Sequence, residues 1–111
     1  KWCAMQLTNE FEPIRDWAKE RGIYEKGTVK GQFTKLLEEV EELNQAILEK
    51  DKRELIDAVG DCVVVLTNLS ELAGVKIEDC INSAYNEIKN RKGVMKNGNF
   101  IRDKTFEKDA K

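Results

Sequence analysis

At 111 residues the chain is the size of one domain, and a domain this small buries only about two-thirds of the surface its unfolded chain exposes, so self-association would help it. With 41% hydrophobic and 36% charged residues, one proline and 7% aromatics, the composition points to an all-α globular protein rather than a sandwich of short strands. A net charge of −2 is too small to argue for nucleic-acid binding by bulk electrostatics, so any polyanion chemistry must come from local charge, and the absence of histidine removes both the commonest general base and the commonest transition-metal ligand.

A first helix is expected to begin between Asn9 and Glu12, with Pro13 in its opening turn, and to end at Arg21 before Gly22. Phe11, Ile14 and Trp17 fall at helical spacing, and Trp17 is read as core. Thr28 is positioned to cap a second helix running to about Lys50, with Phe33, Leu36, Leu37, Val40, Leu43 and Ile47 recurring on one face. A third helix opens at Asp51, with Glu54 three residues on as a capping-box pair, and closes at Gly74. So tight a connection makes the second and third helices an antiparallel pair. The run Cys62-Val63-Val64-Val65-Leu66 is apolar all round and implies cover on more than one side, from the bundle core and from a subunit interface. A fourth helix is expected from about Ile77 to Arg91, on a seam of Ile77, Ile81, Ala84 and Ile88 that Gly93 stops. Beyond it, Asn97-Gly98 between Val94-Met95 and Phe100-Ile101 is the pattern of a two-residue hairpin turn. No repeat or linker marks a second domain, so residues 1–111 read as one domain with a core at about 9–93 and a basic extension at 94–111.

Cys3, Cys62 and Cys80 are odd in number and lack CxxC spacing, which argues against a disulfide framework or a zinc site and for a reducing compartment. Lys1 to Leu7 has no apolar stretch long enough for a signal peptide, and Cys62 to Leu66 is far too short to span a membrane. The expectation is a soluble, cytoplasmic protein without a membrane or nucleic-acid partner.

Charge is nevertheless unevenly placed. Residues 38–61 hold nine acids against three bases, whereas residues 89–104 hold Lys89, Arg91, Lys92, Lys96, Arg102 and Lys104 against Asp103 alone. At about 100° per residue, Glu38, Glu39 and Glu42 share one sector of the second helix, and Glu54, Asp57 and Asp61 lie within roughly 60° on the third. Like charges at i,i+3 and i,i+4 cost about 0.2–0.5 kcal/mol per pair, so two adjoining acidic faces ask for a compensating cation. Oxygen donors without histidine suit Mg²⁺, which keeps water and substrate phosphates in its shell. Asp61 is the most telling of these acids, because it directly precedes the all-apolar run.

These residues also carry a family resemblance. Gln32-Phe-Thr-Lys35-Leu-Leu-Glu38-Glu39-Val-Glu-Glu42-Leu43 resembles the EExxEL signature of the MazG-like, all-α nucleoside triphosphate pyrophosphohydrolases. Gly60-Asp61-Cys-Val-Val-Val-Leu66-Thr-Asn-Leu69 resembles the family's GD segment and the apolar helix after it, and the likeness covers about residues 9–93. The resemblance implies a bundle of four to five helices completed by assembly into a homodimer or homotetramer. It also implies Mg²⁺-dependent hydrolysis of an NTP or dNTP to the monophosphate and pyrophosphate, with Mn²⁺ as a substitute ion. Family ligands come from ExxE and ExxD pairs, which map onto Glu39, Glu42 and Asp61. The glutamate usually found three residues before that aspartate is Ala58 here, so the fourth carboxylate falls to Asp57 or to Glu54.

On that reading Glu38 orients or deprotonates the attacking water. Lys35, Lys89, Arg91, Lys92 and Lys96 are candidates for phosphate contacts, Gln32, Asn82 and Asn86 for reading a base edge, and Tyr24 for stacking on it. The alternatives are a non-catalytic helical interaction module and a related enzyme specialised for dUTP, dCTP or a phosphoribosyl nucleotide.

Overall fold

Asn9 starts the first helix: its Oδ1 accepts from the Phe11 amide at 2.8 Å, satisfying one of the donors that an α-helix leaves open at its N-terminus. The computed structural model describes residues 9–102, and the expectations placed on Lys1 to Leu7, Cys3, Asp103 and Lys104 lie outside the described residues. Helix α1 (Phe11–Glu20) carries Pro13 in its first turn and ends where Gly22 takes a left-handed φ of 77°. A one-turn helix absent from the sequence reading, α2 (Ile23–Lys26), follows at once. Gly27 closes it by donating to the Ile23 carbonyl at 2.7 Å, and a Cβ at Gly27 would collide with that same carbonyl oxygen.

The two long helices form as their caps direct. Thr28 Oγ1 accepts from the Gly31 amide at 2.9 Å and opens α3 (Val29–Glu49). Lys50 then turns left-handed at φ 56°, and Asp51 Oδ1 accepts from the Glu54 amide at 3.1 Å to open α4 (Lys52–Leu72). The expected capping box is half formed, since the Asp51 amide donates to the Ala46 carbonyl and serves the end of α3 instead. Gly74, at φ 86°, ends α4.

Helix α4 is the centre of this first unit, with α1, α2 and α3 all packed on it. Small side chains set the seam: Ala18, Ala46, Ala58 and Val65 are buried among it. Thr67, Asn68 and Ser70 are buried too, and the two hydroxyls donate to carbonyls of their own helix at 2.8 and 2.9 Å, so burying them leaves no donor unmade. The face of α3 turned inward is Gln32, Leu36, Glu39, Leu43 and Ala46, rotated from the stripe that apolar periodicity picks out. Phe33, Leu37, Val40 and Ile47 of that stripe stay exposed, Leu37 at 54% and Ile47 at 55%. On α4 Val63 and Leu66 of the all-apolar run are likewise exposed.

The chain divides near residue 77 into two compact units. The second contains most of α5 (Ile77–Ile88), which stops short of the expected Arg91, and a hairpin of β1 (Gly93–Lys96) and β2 (Asn99–Arg102). The strands pair antiparallel from Gly93 with Arg102 to Lys96 with Asn99. Asn97 and Gly98 both have positive φ, 52° and 83°, as a two-residue turn of that sequence requires. With five helices and this one small sheet among the described residues, the fold class is all-α.

Candidate active site

The turn at Lys50 decides which carboxylates meet. Glu39 lies eleven residues before it and Asp61 eleven after, so an antiparallel hairpin sets them side by side. Glu42 joins from the next turn of α3, and one carboxylate oxygen from each of the three falls within 4.8 Å of the others. Glu39 is 6% exposed, while Glu42 and Asp61 reach solvent.

The electrostatics of the cluster are uneven. Lys35 Nζ stands 3.2 Å from Glu39 Oε2 and 3.7 Å from Glu38 Oε1. The hydrogen bond to Glu39 and the charges of Glu39 and Glu38 hold the Lys35 ammonium above its ordinary pKa. Asp61 is pushed up, first by partial desolvation and then by the charges of Glu39 and Asp57. A proton on Asp61 would be shared with Glu39, and with both groups ionised Glu39 Oε1 is left buried with no donor. Cys62 lies beside the cluster, and burial followed by the charges of Glu39 and Asp61 keeps its thiol protonated.

Hard oxygen donors converging from two helices, one of them buried and unpartnered, fit a small divalent cation. Of the sequence candidates for a fourth donor, Asp57 acts on Asp61 through its charge but stands outside the three-oxygen group. Glu54 lines a separate groove of about 380 Å³ with Glu42, Gln45, Glu49 and Asp51, near the hairpin turn. Ala58, one turn before Asp61, is buried at 4% exposure.

Next to the cluster an open cavity of about 510 Å³ runs between α3 and α4. Lys35 and Glu38 line it at the acidic end, and Thr28, Gln32, Trp17 and Asn68 line it further along, over Val64 and Val65. Trp17, read from the sequence as core, is 46% exposed and also borders a second groove of about 380 Å³ that contains Asp61, Pro13 and Ile14. Arg21 covers one face of its ring, the guanidinium carbon 5.0 Å from the centroid. Tyr24 does not line the cavity; its hydroxyl donates to Asn68 Oδ1 at 2.6 Å. Lys26 and Asn68 were not singled out from the sequence, and the position of Asn68, eighteen residues after Lys50 as Gln32 is eighteen before it, was the available signal. Asn82, Asn86, Lys89, Arg91, Lys92 and Lys96 belong to the second unit, where Arg91 meets Glu87 at 3.4 Å.

No single helix among the described residues is long and apolar enough to cross a membrane. Among curated proteins the chain is similar to an uncharacterized 18.2 kDa protein in the rep-hol intergenic region of Haemophilus phage HP1, at 34% identity over 65 residues. The alignment covers 59% of this chain and 40% of that relative, so less than half of the relative is matched. No solved structure shows significant similarity. Residues 28–95, which carry Thr28 through both long helices, the three converging carboxylates and α5, match the model of the MazG nucleotide pyrophosphohydrolase domain, and the chain belongs to that family.

Proposed function

We propose that the chain hydrolyses a nucleoside triphosphate, NTP or dNTP, between its α- and β-phosphates to give the monophosphate and pyrophosphate, using Mg²⁺ or in its place Mn²⁺. The observation that carries this reading is the meeting of Glu39, Glu42 and Asp61 within 4.8 Å with Glu39 Oε1 buried and unpartnered. These three residues hold the cation, with Asp57 or Glu54 as the fourth carboxylate. Bound there, a divalent cation supplies charge neutralisation on the triphosphate and a more acidic water.

The remaining work falls to side chains around the cavity. Glu38 lines it and carries its carboxylate one residue before Glu39, where it orients the attacking water and takes its proton. Lys35, between Glu38 and Glu39, meets a phosphate oxygen from outside the carboxylate group. The triphosphate thus lies toward the acidic end and the nucleoside along the cavity past Gln32.

The active form is a homodimer or homotetramer in this reading. The exposed Phe33, Leu37, Val40 and Ile47 of α3 and Val63 and Leu66 of α4 support it, since an apolar face of that extent is the surface by which copies associate. The protein acts in the cytoplasm on free nucleotides, in pool cleaning or precursor supply. The deciding experiment incubates the chain with each NTP and dNTP plus Mg²⁺ and measures pyrophosphate against orthophosphate. Pyrophosphate from at least one nucleotide, abolished by chelator, is the expected result; orthophosphate alone, or no release from any, refutes it.

A further inference from the structure

The metal and phosphate roles leave one polar group of the cavity unused. Asn68 is 2% exposed yet borders the cavity, so the little surface it has opens there. Its Oδ1 is taken by the Tyr24 hydroxyl at 2.6 Å. The Tyr24 hydroxyl is the donor in this bond, and burial, with the charge of Glu71 adding, raises its pKa further above neutral. An Asn amide whose oxygen is occupied has its nitrogen turned the other way. Among the described residues that nitrogen makes no hydrogen bond, and it is not one of the buried atoms left without a partner, so it keeps some access to solvent; Asn68 borders the cavity, and we place its free N–H groups there.

Asn68 lies seven residues beyond Asp61 on α4, about 10 Å of helix rise, comparable to the reach of a nucleotide from its phosphates to the edge of its base. The half-exposed Trp17 ring borders the same stretch of cavity and offers an apolar surface to a planar group. A fixed donor at that depth asks for an acceptor. Uracil, thymine, cytosine and guanine each offer an exocyclic carbonyl oxygen to it; adenine offers only ring nitrogens, recessed from the rim of the base and, at N1 and N7, flanked by the exocyclic amino group that sets donor against donor.

We propose that Asn68, locked in orientation by Tyr24, is a base-reading donor that selects nucleotides whose base carries a carbonyl oxygen and discriminates against adenine. This rests on the cavity being the nucleoside site of the proposed reaction. Asn68 touches the base, and Tyr24 is a positioning residue that acts through it.

Calorimetric binding of dUMP, dTMP, dCMP, dGMP and dAMP to the full chain with Mg²⁺ tests it without requiring turnover. The best carbonyl-bearing monophosphate is expected to bind at least about tenfold more tightly than dAMP, as a buried donor left unmade would dictate. Tyr24→Phe frees the amide to turn over and should bring that ratio to within about threefold, whereas a merely structural loss would weaken all five alike. Asn68→Asp, nearly isosteric, replaces the donor with an acceptor and should also abolish the preference, with melting temperature recorded for both variants. Equal binding of dAMP by the parent chain, a ratio unchanged in Tyr24→Phe, or binding of none of the five overturns the inference. Parallel hydrolysis assays separate the two readings. Triphosphate hydrolysis without base discrimination sinks the role of Asn68 alone, and base discrimination without hydrolysis sinks the reaction alone.

Discussion

Replacing Asp61 by Asn should make the metal-free protein more stable and the Mg²⁺-loaded protein less so. Two unit charges 4.8 Å apart repel by about 1 kcal/mol even at the dielectric of water, and the Asp57–Asp61 pair at i,i+4 adds roughly 0.2–0.5 kcal/mol. Lys35 offsets part of this, because its ammonium favours ionised Asp61, so about 1 kcal/mol is the net gain expected from the neutral side chain. For a domain near 100 residues that corresponds to a melting temperature about 4–8 °C higher in EDTA. The pH dependence has a definite sign. The Asp61 carboxyl titrates above its ordinary value, so the native state favours the protonated form, and the wild-type penalty is present at neutral pH and fades as pH falls through that raised value. The advantage of Asp61→Asn should therefore shrink on acidification. Mg²⁺ at ten times its dissociation constant adds about 1.4 kcal/mol to the wild type and much less to the variant, reversing their order. Scanning calorimetry of both proteins at neutral and acid pH, in EDTA and in Mg²⁺, reads all of this. A variant no more stable than wild type in EDTA, or a wild type indifferent to Mg²⁺, would refute the account of the cluster.

Glu38→Gln should lower kcat by about a hundredfold or more while leaving the Mg²⁺-induced rise in melting temperature largely intact; loss of the metal response instead would make Glu38 a ligand. Thr28→Ala removes the acceptor for the Gly31 amide and should cost about 1 kcal/mol in urea unfolding with the slope unchanged. Gly27→Ala sets a methyl group against the Ile23 carbonyl, so α2 must shift; a destabilisation of about 1–3 kcal/mol and weaker nucleotide binding are expected, since Gly27 also lines the cavity.

Much of the site was legible because helix geometry is local. Thr28 and Asp51 announce two helix starts, the short step between Glu49 and Lys52 compels a hairpin, and equal distances from Lys50 pair Glu39 with Asp61 before any coordinate is known. What periodicity missed was rotation. The strongest apolar stripe of α3 is not its inward face, because Glu39 and Ala46 take the seam and leave Phe33, Leu37, Val40 and Ile47 outside. A hydrophobic pattern reports what avoids water without saying whether the same chain or another covers it. The one-turn α2 was illegible for a related reason: four residues have no period, and only the left-handed Gly22 and the crowded Gly27 define it. Tyr24 consequently read as a stacking ring, when its hydroxyl reaches across to Asn68 in a helix more than forty residues on.

The uncovered stripe on α3 has a practical corollary for handling the molecule. A chain that meets its own copies through that face has a folding equilibrium containing its own concentration, so its unfolding midpoint climbs as the sample is concentrated. If such assembly completes the proposed site, specific activity would follow the same law and fall on dilution. A turnover number measured at nanomolar protein and a melting curve recorded at micromolar protein would then describe two different populations of the same chain.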